Sequence, residues 1–179
     1  IQLQITPGLD VTHISFNMAD PLLGRNKALR QAMSLAWDIN PAIDLSYNGR
    51  AIAAQGPIPP GLTGYDPGLK NPYRQFNLAK AKELMAKAGY PEGKGLPPLN
   101  FLTLASSSDR QFREYDQKAF KELGILVNLK TSSWPEFQAA LKSKKGHIWS
   151  YAWTADYPDA ENFLQQFYSK NMSPGPNDA

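Results

Sequence analysis

Leu99-Asn100-Phe101-Leu102-Thr103-Leu104 leads through Ala105 into the polar corner Ser106-Ser107-Ser108-Asp109, and then into a run carrying Phe112, Tyr115, Ala119, Phe120 and Leu123 before Gly124. The first six residues read as a strand, the corner as a helix start, and the spaced apolar residues as the buried stripe of a helix that the glycine closes. Downstream, Ile125, Val127 and Leu129 alternate with Leu126, Asn128 and Lys130, the pattern of a strand with one face better buried than the other. Ser133 and Glu136 form a capping-box pair ahead of Phe137, Ala140 and Leu141, so a further helix is expected there with those three residues facing in. His147 to Thr154, aromatic at Trp149, Tyr151 and Trp153, reads as the next strand, largely buried. Strand and helix thus alternate, the signature of an α/β fold.

Working outward, a helix capped by Asn77 carries Leu78, Ala81, Leu84, Met85 and Ala88 on one face and ends at Gly89. Residues 51–76 lose periodicity in Pro, Gly and Tyr; a connection that long is expected either to be a packed connector or to have a task or cover another surface. Nearer the start, Asn26 caps a helix with Leu29, Ala32, Met33, Ala36 and Trp37 as its stripe. A second helix is expected from Asn40, with Pro41 at its first position, to about Gly49. Two short strands, Ile1–Ile5 and His13–Asn17, flank the turn at Pro7-Gly8. At the far end, Asp159 stands where it would cap a helix in which Phe163 meets Phe167 and Leu164 meets Tyr168 at four-residue spacing. No internal repeat is present.

A chain of 179 residues suffices for one domain with a true core. Its hydrophobic fraction of 42% and charged fraction of 20% are those of a globular protein. The net charge of +3 is scattered, with no basic run interleaved with aromatics, so nucleic acid is not an expected partner. Cysteine is absent, which removes disulfides, thiolate metal sites and a cysteine nucleophile. No apolar stretch reaches the roughly 20 residues of a membrane span. A strand-like beginning and an end in mid-loop suggest a piece of a longer polypeptide.

The chemistry concentrates in Trp153-Thr154-Ala155-Asp156-Tyr157-Pro158-Asp159. A strand that ends in a polar corner and then a helix leaves its side chains at the carboxyl edge of a sheet, where open α/β sheets bind ligands. Asp156 has two readings. It can be the counter-ion of a ligand's ammonium group, with Trp153 and Tyr157 as apolar or cation–π walls, or a turn aspartate bonded to nearby backbone N–H groups. Asp159 is explained as a helix cap, and two carboxylates on one short turn are badly placed to act as a glycosidase pair. His13 and His147 lie far apart without Cys or His neighbours, which argues against a metal. Ser107 lacks the glycines of a hydrolase elbow, and Gly93-Lys94-Gly95 lacks the setting of a phosphate loop.

The order of motifs along the chain carries more than any one of them. Asn17 and Pro21, then Leu29-Arg30-Gln31-Ala32-Met33-Ser34-Leu35-Ala36-Trp37-Asp38, Gly56-Pro57-Ile58-Pro59-Pro60, Gly64-Tyr65-Asp66, Ala79-Lys80-Ala81-Lys82-Glu83-Leu84, Ala88-Gly89-Tyr90-Pro91, Leu123-Gly124-Ile125 and finally Trp153 to Asp159 together resemble the extracytoplasmic solute-binding proteins of family 5. These are receptors of ABC importers for oligopeptides, dipeptides, nickel and some sugars. The resemblance implies a type II periplasmic-binding-protein-like lobe, a mixed sheet flanked by helices. Residues 1–179 would form a single carboxyl-terminal lobe, truncated at both ends, of a larger two-lobed receptor. By the same resemblance Asp156 would pair with a peptide's α-ammonium group, and Trp153 would line side-chain pockets. Some oligopeptide binders carry a basic residue just before that tryptophan to hold a ligand carboxylate, but Ser150 and its neighbours are uncharged.

The expected ligand-binding residues are therefore Asp156, Trp153, Tyr157, Thr154 and Ser107, with no catalytic residue, metal or cofactor. The expected partners are a short peptide and an ABC permease, and the expected location is the periplasm or the outer face of the cytoplasmic membrane. An oligosaccharide stacked on Trp149, Trp153 and Tyr157 is the alternative ligand, and a carboxylate hydrolase is a third, more distant reading.

Overall fold

The computed structural model describes residues 6–172, the side chains of Ser107 and Ser108 excepted, so the strand expected at Ile1–Ile5 lies outside the described residues. Strand β1 (Asp10–Phe16) is followed by helices α1 (Lys27–Ala36), α2 (Ile39–Tyr47) and α3 (Leu78–Lys87), and then by β2 (Leu99–Leu104), α4 (Ser107–Lys121), β3 (Val127–Ser132), α5 (Trp134–Lys142), β4 (Ile148–Thr154) and α6 (Glu161–Leu164). The four strands form one sheet in the order β1-β4-β2-β3. β2 runs parallel to β3 and to β4, while β1 runs antiparallel to β4. The expected α/β architecture with a mixed sheet is thus present.

β2 lies inside the sheet, and its sequence says why. Leu99, Phe101 and Thr103 alternate with Leu102, and all four are buried, because successive side chains of an inner strand face opposite layers. Leu99 and Phe101 share a core with Ile148 of β4, Ile125, Phe120 and Leu123, and with the stripes of α1 and α3. On the opposite face Leu102 packs so closely on Gly146 that a Cβ there would stand 2.6 Å from the leucine Cγ.

Asparagine caps fix the helical layer. Asn26 Oδ1 accepts from Leu29 N at 3.1 Å, while its Nδ2 donates to Ala88 O at 2.9 Å, tying the start of α1 to the end of α3. Asn77 Oδ1 accepts from Lys80 N at 2.9 Å, and its own N–H donates to Leu35 O at 2.9 Å. Two glycines let the turn after α3 touch the turn after α4. Gly93 and Gly124 have φ of 76° and 74°, and a Cβ on Gly124 would lie 2.0 Å from Glu92 O.

Several expectations require correction. α2 begins at Ile39, not Asn40, because the Asp38 side chain accepts from Asn40 N at 3.2 Å and so takes the capping position. Pro41 is still within the first turn, where its missing N–H leaves no helical bond unmade. The strand after Gly124 starts at Val127 and runs to Ser132. The helix expected to reach Tyr168 is one turn of α6 followed by a 3-10 turn at Gln165–Phe167. The proposed stacks are split: Phe163 is buried, whereas Phe167 is 66% exposed. β4 is less buried than its aromatics suggest, since Ala152 and Thr154 are exposed, where β4 runs beyond its short pairing with β2. The capping box does form, with Glu136 Oε2 accepting from Ser133 N at 2.9 Å and from Ser133 Oγ at 2.7 Å. Behind it Phe137 is buried, while Ala140 and Leu141 are half-buried.

Candidate functional site

Because β4 and β2 are parallel neighbours, their carboxyl ends open on the same edge of the sheet. The segment after Thr154 and the corner at Ser106 to Asp109 both stand there. Thr154 is exposed and pairs in register with Asp10 of β1. Pairing carries one residue further, since Ala155 N donates to Leu9 O at 2.9 Å. The chain then leaves the sheet at Asp156.

Asp156 and Asp159, alike in sequence, are used differently. Asp159 Oδ1 accepts from Glu161 N at 2.8 Å and so starts α6, as a cap one residue ahead of the formal N-cap, Ala160. The Asp156 carboxylate is exposed and has no hydrogen-bond or ion-pair partner among the described residues; only its backbone is held, by donation of its N–H to Asn162 Oδ1 at 3.3 Å. Of the two readings of Asp156, the turn aspartate is therefore not realised. Nor is it forced into a pair by burial, as a largely buried β4 would have required.

Trp153 is half-buried, and its indole N–H donates to the same Asn162 oxygen at 2.8 Å. It therefore offers a ligand ring surface and no donor. Tyr157 is 43% exposed beside Asp156. Ser107 opens α4 at the neighbouring strand end, but its side chain lies outside the described residues. The helix there is capped by Ser106, whose Oγ accepts from Asp109 N at 3.1 Å and makes a further short contact with Asp109 Oδ2. Thus Trp153 and the backbone of Asp156 are joined through Asn162, Thr154 and Tyr157 are their neighbours in the chain at the end of β4, and Ser107 opens α4 on the same edge.

Behind this edge lies a polar cluster that sequence reasoning missed. Arg113 Nε stands 3.0 Å from Asp116 Oδ2, and both side chains are almost wholly buried. The guanidinium lies 4.7 Å above the Phe101 ring, and Asp116 Oδ1 accepts from the Trp37 indole at 2.7 Å. Burial pushes the Asp116 carboxyl up to about 6, outweighing the opposing pull of Arg113 and of the Trp37 hydrogen bond. The same burial lowers Arg113. A concave surface beyond β2 and β3, lined by Thr103, Ser106, Arg110, Arg113 and Thr131, adjoins this cluster. Asn162 was missed too, since nothing in its local sequence, with Glu161 before it and Gln165 and Gln166 shortly after, distinguishes a buried acceptor from a surface amide.

The histidines are engaged in the fold. His147 Nδ1 accepts from Asn100 N at 2.8 Å, and its Nε2 stands 3.8 Å from Asp20. His13 packs against the Tyr151 ring at 4.9 Å, and burial lowers its pKa. No group of three His, Cys, Asp or Glu residues suited to a metal occurs among the described residues.

The profile of the bacterial extracellular solute-binding proteins, family 5 Middle, matches residues 1–174. The chain belongs to that family. It is 28% identical over 168 residues to heme-binding protein A of Haemophilus influenzae, a match covering 92% of this chain and 30% of that protein. With the dipeptide-binding protein of Escherichia coli it shares 26% identity over 171 residues, 94% of this chain and 31% of that one. Among solved structures, the periplasmic binding protein DppA of Helicobacter pylori in complex with the peptide STSA superposes with a TM-score of 0.78 at 27% identity, over 88% of this chain and 29% of that one. The chain thus spans about 30% of the length of the curated relatives it matches. Such neighbours bear out the periplasmic-binding-protein-like fold.

Proposed function

We propose that this chain is the carboxyl-terminal ligand-binding lobe of a larger receptor, located in the periplasm or on the outer face of the cytoplasmic membrane, which presents short peptides to the permease of an ABC importer. One observation carries the reading: the exposed, partnerless carboxylate of Asp156 at the carboxyl edge of the sheet, beside the rings of Trp153 and Tyr157. A relative named for dipeptide binding and a neighbour solved with a peptide support that ligand class. No helix of the described residues is long and apolar enough to cross a membrane.

In this reading a second lobe closes over the edge by hinge motion, removing Asp156 and the ligand's ammonium group from water together. A fixed carboxylate then selects for a free amino terminus, and the ring faces accept varied side chains. Thr154 and Ser107 are the further ligand-binding candidates on this edge. The site binds without catalysis. A histidine-ligated heme, which the name of one relative raises, finds both histidines engaged in the fold.

The test is calorimetry on the complete receptor. Because a buried charge stripped of its partner costs about 3–5 kcal/mol, Asp156→Ala should weaken a free-amine peptide at least a hundredfold and leave the N-acetylated peptide almost unchanged. Unchanged affinity for the free amine defeats the ammonium role. A thermal-shift series of peptides, oligosaccharides and hemin then tests the ligand class, since only the true class raises the melting temperature with log concentration. The isolated lobe should bind peptide weakly, because half of the cleft is missing; tight binding by the 179-residue chain would contradict the two-lobe reading.

A further inference from the structure

We propose that Asn162 is the positioning residue of this site: it fixes where Asp156 stands, and so sets how strictly a free ammonium group is demanded. The proposal rests on the ammonium reading above.

Asn162 is fully buried, and its Oδ1 receives two donors, Trp153 Nε1 at 2.8 Å and Asp156 N at 3.3 Å. The orientation of the amide is determined, because a flip would turn the NH₂ group on two N–H donors and lose both bonds. Its backbone is held as well, its N–H donating to Asp159 O at 3.2 Å and its carbonyl accepting from Gln165 Nε2 at 3.1 Å. One side-chain oxygen thereby clamps the end of β4 to the start of α6, with Asp156 on the loop between them. Since the Asp156 side chain has no partner of its own, the N–H bonds of Ala155 and Asp156 are what hold its Cα.

The choice of an amide also matters. A carboxylate could accept the same two bonds but would add a second negative charge beside Asp156, whereas the asparagine accepts and stays neutral. Its Nδ2 is buried and without a partner among the described residues, a cost the fold bears for an acceptor at this point.

The experiment compares a free-amine dipeptide with its N-acetyl derivative on the complete receptor and on its Asn162→Ala variant. Loss of one positioning hydrogen bond should lower the preference for the free amine about tenfold, while affinity for the acetylated peptide changes by less than about threefold. Equal weakening of both peptides, or an unaltered preference, overturns the positioning role and leaves the ammonium reading standing. A wild-type receptor with no preference overturns the ammonium reading itself. Should the variant not fold, hydrogen exchange at the Asp156 amide of the wild-type receptor decides: protection of about tenfold or more over the unfolded chain is expected, and exchange at the unfolded rate overturns the clamp.

Discussion

The Trp37 indole N–H donates to Asp116 Oδ1 at 2.7 Å, joining residues 79 apart in the chain. Through this bond the end of α1 rests on α4, and Arg74 adds a second contact by lying 5.5 Å over the Trp37 ring. Asp116 therefore sits at the contact between the end of α1 and α4, and its ionisation bears on that contact.

Burial raises the folded-state pKa of Asp116 from 3.8 to about 6. The folded chain then holds a proton that the unfolded chain releases, so this contribution to stability is complete below pH 3.8 and is lost as pH rises through 6. The size is roughly 3 kcal/mol. Asp116→Asn cannot titrate, so the stability of wild type relative to this variant should fall by that amount between about pH 4 and pH 7 in urea melts. A flat difference would mean that Asp116 keeps an ordinary carboxyl.

Phe101 is fully buried between the sheet and the helices and carries the Arg113 guanidinium on its ring. Phe101→Ala should cost about 3–5 kcal/mol by chemical denaturation, as large cavities in a core do. Phe167, 66% exposed, gives the contrast: Phe167→Ala should stay within about 0.5 kcal/mol. Equal effects would place the core elsewhere.

Gly89 and Gly124 both adopt positive φ, 92° and 74°, yet differ in their surroundings. Nothing lies within 4 Å of a Cβ on Gly89, whereas one on Gly124 would collide with Glu92 O. Gly89→Ala should cost about 1 kcal/mol from backbone strain alone. Gly124→Ala should cost about 3 kcal/mol or more, because the two turns must also separate. Matching melting-temperature shifts in the two variants would show that the Gly93–Gly124 contact is dispensable.

What could be read from the chain followed the range of the interaction concerned. The Asn26 and Asn77 caps and the Ser133–Glu136 box were legible because their partners stand three residues away, and the strand at Leu99–Leu104 because its run of apolar residues marks it without any knowledge of its distant partners. The start of α2 was misplaced by a local competition between Asp38 and Asn40, two polar residues two positions apart, either of which could cap. The burial of β4 was misjudged because aromatic residues suit a half-covered strand as well as an inner one. Arg113 and Asp116 stand three apart on α4, but their burial and the bond from Trp37, 79 residues from Asp116, come only with the fold. Asp156 and Asp159 were told apart by pattern, but the fact that Asp156 keeps its carboxylate free needed the fold.

That difference between the two aspartates can be measured without any ligand. Asp159 stabilises the start of α6 by accepting from Glu161 N at 2.8 Å, and removing such a cap costs about 1 kcal/mol. The Asp156 side chain makes no such bond, so its loss removes nothing that the folded chain uses. Asp159→Ala should lower stability by about 1 kcal/mol in urea melts, and Asp156→Ala should leave it within about 0.5 kcal/mol. A carboxylate that can be deleted without harm to the fold, on a corner whose backbone is held from both sides, is available for a ligand. If Asp156→Ala destabilised the chain as much as Asp159→Ala, its carboxylate would be serving the loop, and the ammonium partner would have to be sought elsewhere on the edge.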